Sequence, residues 1–431
     1  MMNKSYFRGK VHCVTDTGVV FLSLKNLTRI GSDTMQILPM AKAEPFTSDK
    51  GYENGDVVEL AALEEVVGEE VCCGGPPAPK SNPFEQPGYK LEHYIRAFMI
   101  NEKSNVALVK TRLEFADHFG TLLARIGLNR DNYRVSPGLY GTGNPQTDSP
   151  VLVTANYKLT FNTLRKELGG QDCWILVLDT CGINVWCAAG KKTFSTEELV
   201  DQVIKTDLAE KVRHRKLIVP QLGAVGIAAH KVKLQCGFRV VYGPVRAADI
   251  PAFVENDMQA TEKMRRVTFT LKERFVLIPV EFYNFSRKIW WLFPLLFVLS
   301  GIGPDFFNVG GAVERGLLSS AGVILGGILG GAIMPLLLPW LPGRSFSCKG
   351  AILGFIVSMI GMLLFPEVHV LDRAGLVVAV TAISSYLAMN FTGSTPYTSP
   401  SGVEKEMKLA IPLQAGAVVV ATLLWIVSPF I

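Results

Sequence analysis

The sequence predicts an α/β domain followed by an all-α domain of five transmembrane helices, a division carried by its charge distribution and its hydrophobic periodicity. From Ile289 to the C-terminus, six basic residues (Arg315, Arg344, Lys349, Arg373, Lys405, Lys408) balance six acidic ones (Asp305, Glu314, Glu367, Asp372, Glu404, Glu406). The net charge of +5 over 431 residues therefore sits wholly on the front part. A polar, mildly basic front and an apolar rear is the pattern of a membrane-attached protein. The charge is too modest to argue for nucleic-acid binding.

Five apolar runs carry the membrane expectation: Ile289–Pro304, Gly316–Leu341, Gly350–Phe365, Ala374–Phe391 and Leu409–Ile431. A hydrocarbon core of roughly 30 Å takes about 20 helical residues. The second, fourth and fifth runs meet that length. The first and third rely on snorkelling by Arg287, Lys288 and Lys349 at their ends. Trp290, Trp291, Trp340 and Trp425 fall near run ends, as interfacial belts prefer. Orientation follows from the loops. Pro342–Lys349 carries Arg344 and Lys349 and Thr392–Lys408 carries Lys405 and Lys408, whereas the opposite side has only the basic residues Arg315 and Arg373. The α/β domain is thus expected on the cytoplasmic side of the inner membrane and the C-terminus outside. Gly326, Gly327, Gly330, Gly331 and Pro335 interrupt the second run, and close helix packing is favoured over a transport path for them.

No secretory signal opens the chain, because Val19–Leu24 is too short for an h-region. Eight cysteines without framework spacing point to a reducing compartment. No Cys-x-x-Cys occurs, so no sequence-local iron–sulfur or zinc site is expected. Electrons, if needed, must come from another protein.

Residues 1–86 form a poorly patterned N-terminal extension, with Met35 or Met40 as alternative starts. From 87 to 287 strands and helices alternate. Val151–Ala155 reads as a strand, Thr160–Leu168 as an amphipathic helix closed by Gly169-Gly170, and Trp174–Leu178 as a second strand. Ser195 and Glu198 form a capping box that opens a helix to about Val212. Leu217–Val219 is a strand, Ala224 to about Val232 a helix, Phe238–Tyr242 a strand and Ala247–Glu255 a helix. This alternation predicts a parallel, Rossmann-like sheet covered on both faces, with ligands beyond the carboxyl ends of its strands. Residues 288–431 make the five-helix domain.

The informative stretch follows the strand Trp174–Leu178. In Asn184-Val-Trp-Cys-Ala-Ala-Gly-Lys191, Asn184 caps a short helix over Val185–Ala189 and Gly190 frees its end. That helix is too short to be stable alone. It presents Cys187 followed only by small residues, which leaves room for a large flat group against a soft thiolate. From the residues alone, Cys187 is either such a ligand or an ordinary core thiol. The spacing of Gly138, Gly141 and Gly143 gives no dinucleotide fingerprint.

The stretch Asn184–Lys191 resembles the cap-helix motif of the corrinoid proteins of mercury methylation. The likeness extends to Pro137–Tyr140, Ser149–Lys158, Trp174–Thr180, Pro220–Gly223, Tyr242–Arg246 and Asn390–Ser394. Its broader part is shared with the corrinoid iron–sulfur protein of acetyl-CoA synthesis. The resemblance implies a cobalamin-type corrinoid whose cobalt takes Cys187 as lower axial ligand, lined by Asn184, Val185, Trp186, Ala188, Ala189, Gly190 and Lys191. A thiolate trans to a methyl group raises its carbanion character, as axial ligands tune other macrocyclic metals. The methyl group would then pass to Hg(II), giving methylmercury. A methylated folate, or its methyltransferase intermediary, would supply it. A separate ferredoxin-like protein with two [4Fe-4S] clusters would restore the reduced metal. The Asp-x-His-x-x-Gly cobalamin signature is absent, which disfavours a histidine ligand.

Weaker expectations surround this core. Thr154 is placed beneath the cofactor near Cys187. Lys191 either meets a cofactor side chain or is solvated. Tyr242–Arg246 either holds the nucleotide tail or is a structural turn. Cys72-Cys73 either relay Hg(II) or sit on a flexible arm. Lys192 stands where a smaller residue is expected. Two other classes remain open: a corrinoid methyl carrier of one-carbon metabolism, and a membrane protein whose α/β domain is not catalytic.

Overall fold

The computed structural model describes residues 10–15, 18–23, 79–101, 104–395, 398 and 400–431. Most of the N-terminal extension, with Met35, Met40 and Cys72-Cys73, lies outside the described residues. Met1–Glu70 and Val71–Ile431 are separate compact units. In the first, β1 (Lys10–Thr15) and β2 (Gly18–Ser23) form an antiparallel hairpin.

The second unit holds a sheet of β3 (Ile95–Asn101), β4 (Ser104–Val109), β5 (Gly138–Thr142), β6 (Val151–Ala155), β7 (Cys173–Leu178), β8 (Lys216–Val219) and β9 (Arg239–Tyr242). Its order is β3-β4-β5-β7-β6-β8-β9. Strands β7, β6, β8 and β9 run parallel. Helices α1 (Phe115–Ile126), α2 (Lys158–Glu167), α3 (Val185–Gly190), α4 (Thr196–Lys205), α5 (Leu208–Lys211), α6 (Ala229–Cys236) and α7 (Ile250–Glu255) accompany it. Every residue of β6 and β7 is buried, so these strands are continuously apolar and not alternating. Their side chains divide by parity. Val151, Val153, Leu176 and Leu178 join a core with Val185, Ala188 and Leu199, while Leu152, Ile175 and Val177 join another with Phe161 and Phe253.

The chain moves one way from β6 to β7 and the other way from β7 past β6 to β8. Right-handed crossovers then put α2 on one face and α4 and α6 on the other. The reversal opens a crevice at the carboxyl ends of β6 and β8.

The wholly parallel sheet expected from the sequence needs correction. Strand β5 runs antiparallel to β7, and β3 antiparallel to β4. Only eight residues separate β5 from β6, too few for a parallel crossover, which takes about a dozen or more. The helix expected from Ser195 to Val212 breaks at Asp207, whose φ is 47°, into α4 and α5. Ser195 caps α4 by accepting from Glu198 N–H, but the Glu198 carboxylate turns to the backbone of Asp179, so the capping box is half made. The helix expected from Ala224 starts at Ala229, after a 3-10 turn at Gln221–Gly223.

Beyond the sheet come α8 (Glu262–Arg265), α9 (Leu271–Phe275), α10 (Ile278–Ile289), α11 (Leu292–Gly301), α12 (Val309–Ile328), α13 (Met334–Leu337), α14 (Phe346–Leu364), α15 (Val370–Asn390) and α16 (Pro400–Val427). Four helical segments are long and apolar enough to cross a membrane: Val309–Leu337, Phe346–Leu364, Val370–Asn390 and Ser401–Phe430. The first of the five expected spans shrinks to the ten residues of α11. Helix α10 ends at the turn Trp290–Trp291, and α11 ends at a two-residue strand pair, Ile302–Gly303 with Phe306–Phe307. The glycine-rich run does not break Val309–Leu337. It passes through a π-turn at Leu329–Ile333, just before Pro335, which lacks the N–H a regular helix would use there. A Cβ on Gly330 would meet the Ser384 carbonyl at 2.3 Å, so backbone packs on backbone. Arg315 and Asp372, expected in loops, lie inside helices and form a two-point ion pair at 2.8 and 3.1 Å beneath the Trp425 ring.

Candidate functional site

The site is built at the carboxyl ends of β6 and β7. After Leu178 the chain passes through Asp179 and Thr180 and turns through two left-handed residues, Cys181 (φ 56°) and Gly182 (φ 75°). Such a conformation strains Cys181, and neighbouring hydrogen bonds hold it. The Asp179 carboxylate accepts from the N–H groups of Cys181 (3.1 Å) and Ser81 (2.6 Å). Asn156, wholly buried one residue beyond β6, does the rest. Its Oδ1 accepts from the N–H groups of Thr180 (3.1 Å) and Gly182 (2.9 Å) and lies 2.8 Å from the Thr180 hydroxyl. Its Nδ2 donates to Asp179 at 2.9 Å.

This turn delivers Asn184, whose side chain accepts from Cys187 N–H at 2.9 Å and caps α3. Helix α3 buries Val185, Ala188 and Ala189 against the sheet. The i, i+3, i+4 spacing then turns Trp186 and Cys187, both half-buried, and exposed Gly190 to the other side. No atom lies within 4 Å of where a Gly190 Cβ would be. The Ala188 carbonyl accepts from Thr193 and Phe194 N–H (2.9 and 3.1 Å), which folds the chain back. Lys192 takes φ 59°, the left-handed region, which accounts for the expectation of a smaller residue there. The loop after β8 closes on this helix: a Cβ on Gly226 would sit 2.0 Å from the Phe194 carbonyl and 3.2 Å from Ala189 Cα.

Tyr157, next to Asn156, is buried, and its hydroxyl has no hydrogen-bond partner among the described residues. The Arg130 guanidinium lies 5.9 Å from its ring centre. Burial pushes the Tyr157 phenol up, Arg130 and Arg125 oppose that, and Cys187 lies close enough to add to it. Burial, and then Asp179, push the Cys181 thiol up, which marks it as a packing residue rather than a ligand. Among the described residues no three His, Cys, Asp or Glu side chains gather into a metal-binding set.

The structure brings Asn184 to Cys187 and places Val185 to Lys191 around it. It does not bring in Thr154, which shares the parity of Leu152 and so faces the α2 side of the sheet, whereas α3 covers the other. The Tyr242 hydroxyl donates to the Ile227 carbonyl at 2.8 Å, and Arg246 pairs with Glu273 at 3.1 Å. The Lys191 N–H donates to the Cys187 carbonyl at 3.0 Å and closes the helix.

This region is also where the chain resembles known proteins. Residues 121–254 match the family described as CO dehydrogenase/acetyl-CoA synthase delta subunit. The chain is 35% identical over 130 residues to the acetyl-CoA decarbonylase/synthase complex subunit gamma of Methanopyrus kandleri, covering 30% of this chain and 28% of that one. The subunit from Archaeoglobus fulgidus is 32% identical over 135 residues, 31% of this chain and 28% of its own. That from Methanothermobacter thermautotrophicus is 30% identical over 171 residues, 38% of this chain and 36% of its own. The chain thus spans between about a quarter and a third of the length of these relatives. The matched family segment contains α3 and the four parallel strands β6, β7, β8 and β9.

Proposed function

We propose that the α/β unit is a corrinoid protein of methyl transfer, in which the Cys187 thiolate would hold the cobalt of the cofactor. One observation carries the reading: Cys187 stands on the outward face of a capped, clamped helix at the carboxyl ends of parallel strands, inside the segment that matches the CO dehydrogenase/acetyl-CoA synthase delta subunit family. A bound corrinoid would supply a metal that takes up and gives away a methyl group.

The residues suit such a group. Gly190 leaves open space on the outward face that also carries Cys187. Asn184 fixes the first turn of α3, so the sulfur is held before anything binds. Thiolate sulfur is a soft donor suited to a polarisable metal. Electrons would come from a separate iron–sulfur protein, because the sequence has no Cys-x-x-Cys. The four long helices would hold the α/β unit at a membrane, on the side of the basic loops. With α10 and α11 together as a fifth crossing, the C-terminus would lie outside.

The likeness to the decarbonylase/synthase subunits supports a methyl carrier of one-carbon metabolism. A second reading, with Hg(II) as acceptor, is favoured by the cap motif Asn184–Lys191 and the attached bundle. One assay separates them. The chain, loaded with corrinoid and methyl without oxygen, is offered Hg(II) or a thiol or metal-cluster acceptor, with a low-potential reductant. Transfer to Hg(II) alone supports the second reading and transfer to the others the first. In either case Cys187→Ala should lower transfer by more than the roughly 10–100-fold typical of changes around a metal ligand. Wild-type transfer by that variant would falsify the assignment.

A further inference from the structure

We infer that helix α1 lies in the headgroup layer of the membrane that the bundle enters, with Phe115, Phe119 and Leu122 against lipid. This rests on the reading of the bundle as membrane-embedded.

Helix α1 has two faces of unusual character. The inner one carries Asp117 and Ala124, both buried, and Gly120, where a Cβ would meet the Tyr133 ring at under 3 Å. The outer one is apolar: Phe115 is 82% exposed, Phe119 50% and Leu122 53%. Spacings of four and three residues put these on one stripe, and the two phenyl rings stack at 6.1 Å. A stripe of large apolar side chains on a helix otherwise packed against a domain calls for an apolar neighbour.

The position of the helix says which neighbour. At its end, a Cβ on Gly127 would lie 2.5 Å from the Tyr283 ring, so α1 abuts α10 directly. On α10 the adjacent Phe282 sits over Gly331 and Phe285 over Gly327, both in the long segment Val309–Leu337. Gly331 lies six residues from the inner end of that segment, roughly 9 Å at a rise of about 1.5 Å per residue. A helix touching α10 there is level with the boundary of headgroups and acyl chains, into which interfacial helices sink by about 5–10 Å. The flanking charge agrees. Lys110 and Glu114 neutralise each other at 2.7 Å, which leaves exposed Arg112 just before the stripe and half-buried Arg125 just after it along the chain. Cations beside an apolar stripe fit an anionic cytoplasmic leaflet.

The test uses the full chain in vesicles of phosphatidylcholine with a minor fraction of phosphatidylglycerol. A photoreactive benzophenone amino acid replaces Phe119 in one sample, Leu234 in a second and Ile360 in a third. Leu234 is 83% exposed on α6, and Ile360 is 52% exposed on α14. After illumination, mass spectrometry should find lipid adducts at 119 and 360, at least an order of magnitude above 234. Adducts at 360 but not at 119 would overturn the inference and leave the membrane reading standing. Cross-links from 119 to another copy of the chain, in place of lipid, would also overturn it. Loss of adducts at 360 as well would sink both.

Discussion

Asn156 sits one residue beyond β6 with its side chain wholly inside the protein, and its carboxamide oxygen takes the N–H groups of both Thr180 and Gly182. No other described side chain ties the end of one parallel strand to the turn that carries α3 in this way. Replacing it with alanine leaves those buried N–H groups without partners, at about 1–3 kcal/mol each. Asn156→Ala should therefore lose several kcal/mol in denaturant unfolding, and its Cys187 thiol should be alkylated faster in the corrinoid-free protein. An unchanged alkylation rate would mean that Asn156 supports the fold without setting the position of Cys187. The cap residue Asn184, the helix start at Val185 and the placement of Cys187 after a buried strand were legible in the sequence, because capping and burial are local. Asn156 was not. Its bonds reach residues 24 and 26 positions away, and no spacing rule connects them. The face that Thr154 takes was not legible for a related reason: strand parity decides it, and that face is known only once α3 is seen to cover the other.

At the scale of elements, α1 and α2 are joined by a buried charge cluster. Asp117 is wholly buried and lies 2.7 Å from Arg165, 3.2 Å from Lys158 and 2.9 Å from His93. Burial alone would raise the Asp117 carboxyl, but hydrogen bonds from Arg165, the Glu114 backbone and His93 prevail and hold it well below the usual carboxylate range. Its folded pKa is thus depressed. The stability it contributes is complete above its ordinary value of 3.8 and drains away as pH falls below that. Asp117→Asn leaves Arg165 and Lys158 facing each other without a counter-charge, which should cost about 3–5 kcal/mol near neutral pH. It should also flatten the acid limb of stability below pH 4, and chemical denaturation across that range reads both effects. A steep acid limb persisting in the variant would assign it to other carboxylates. Helix α2 and the long apolar helices were legible from their periods, yet α6 was misplaced by five residues. The cause is tertiary: Gly226 must approach the Phe194 carbonyl, so the chain after β8 turns through 221–226 and α6 begins only after the extended Ala228.

Across the whole second unit, α10 couples sheet to bundle. Tyr283 faces the α/β domain at Gly127, while Phe282 and Phe285 face the glycines of Val309–Leu337. The division into an α/β part and an apolar helical part was legible from charge and hydropathy alone. The number of crossings was not, because α10 is amphipathic and α11 short, and only their contacts show that they run together beside α12. Likewise the antiparallel β5 could not be foreseen from its apolar run, since direction depends on the length of the connection. The account as a whole depends on one bond between this chain and a metal. X-ray absorption at the cobalt edge tests it most directly, on the full-length chain purified from membranes without oxygen, loaded with a corrinoid and compared with Cys187→Ala. The wild type should show one sulfur neighbour on cobalt that is missing from the variant. A wild-type metal surrounded only by nitrogen and oxygen would contradict the account.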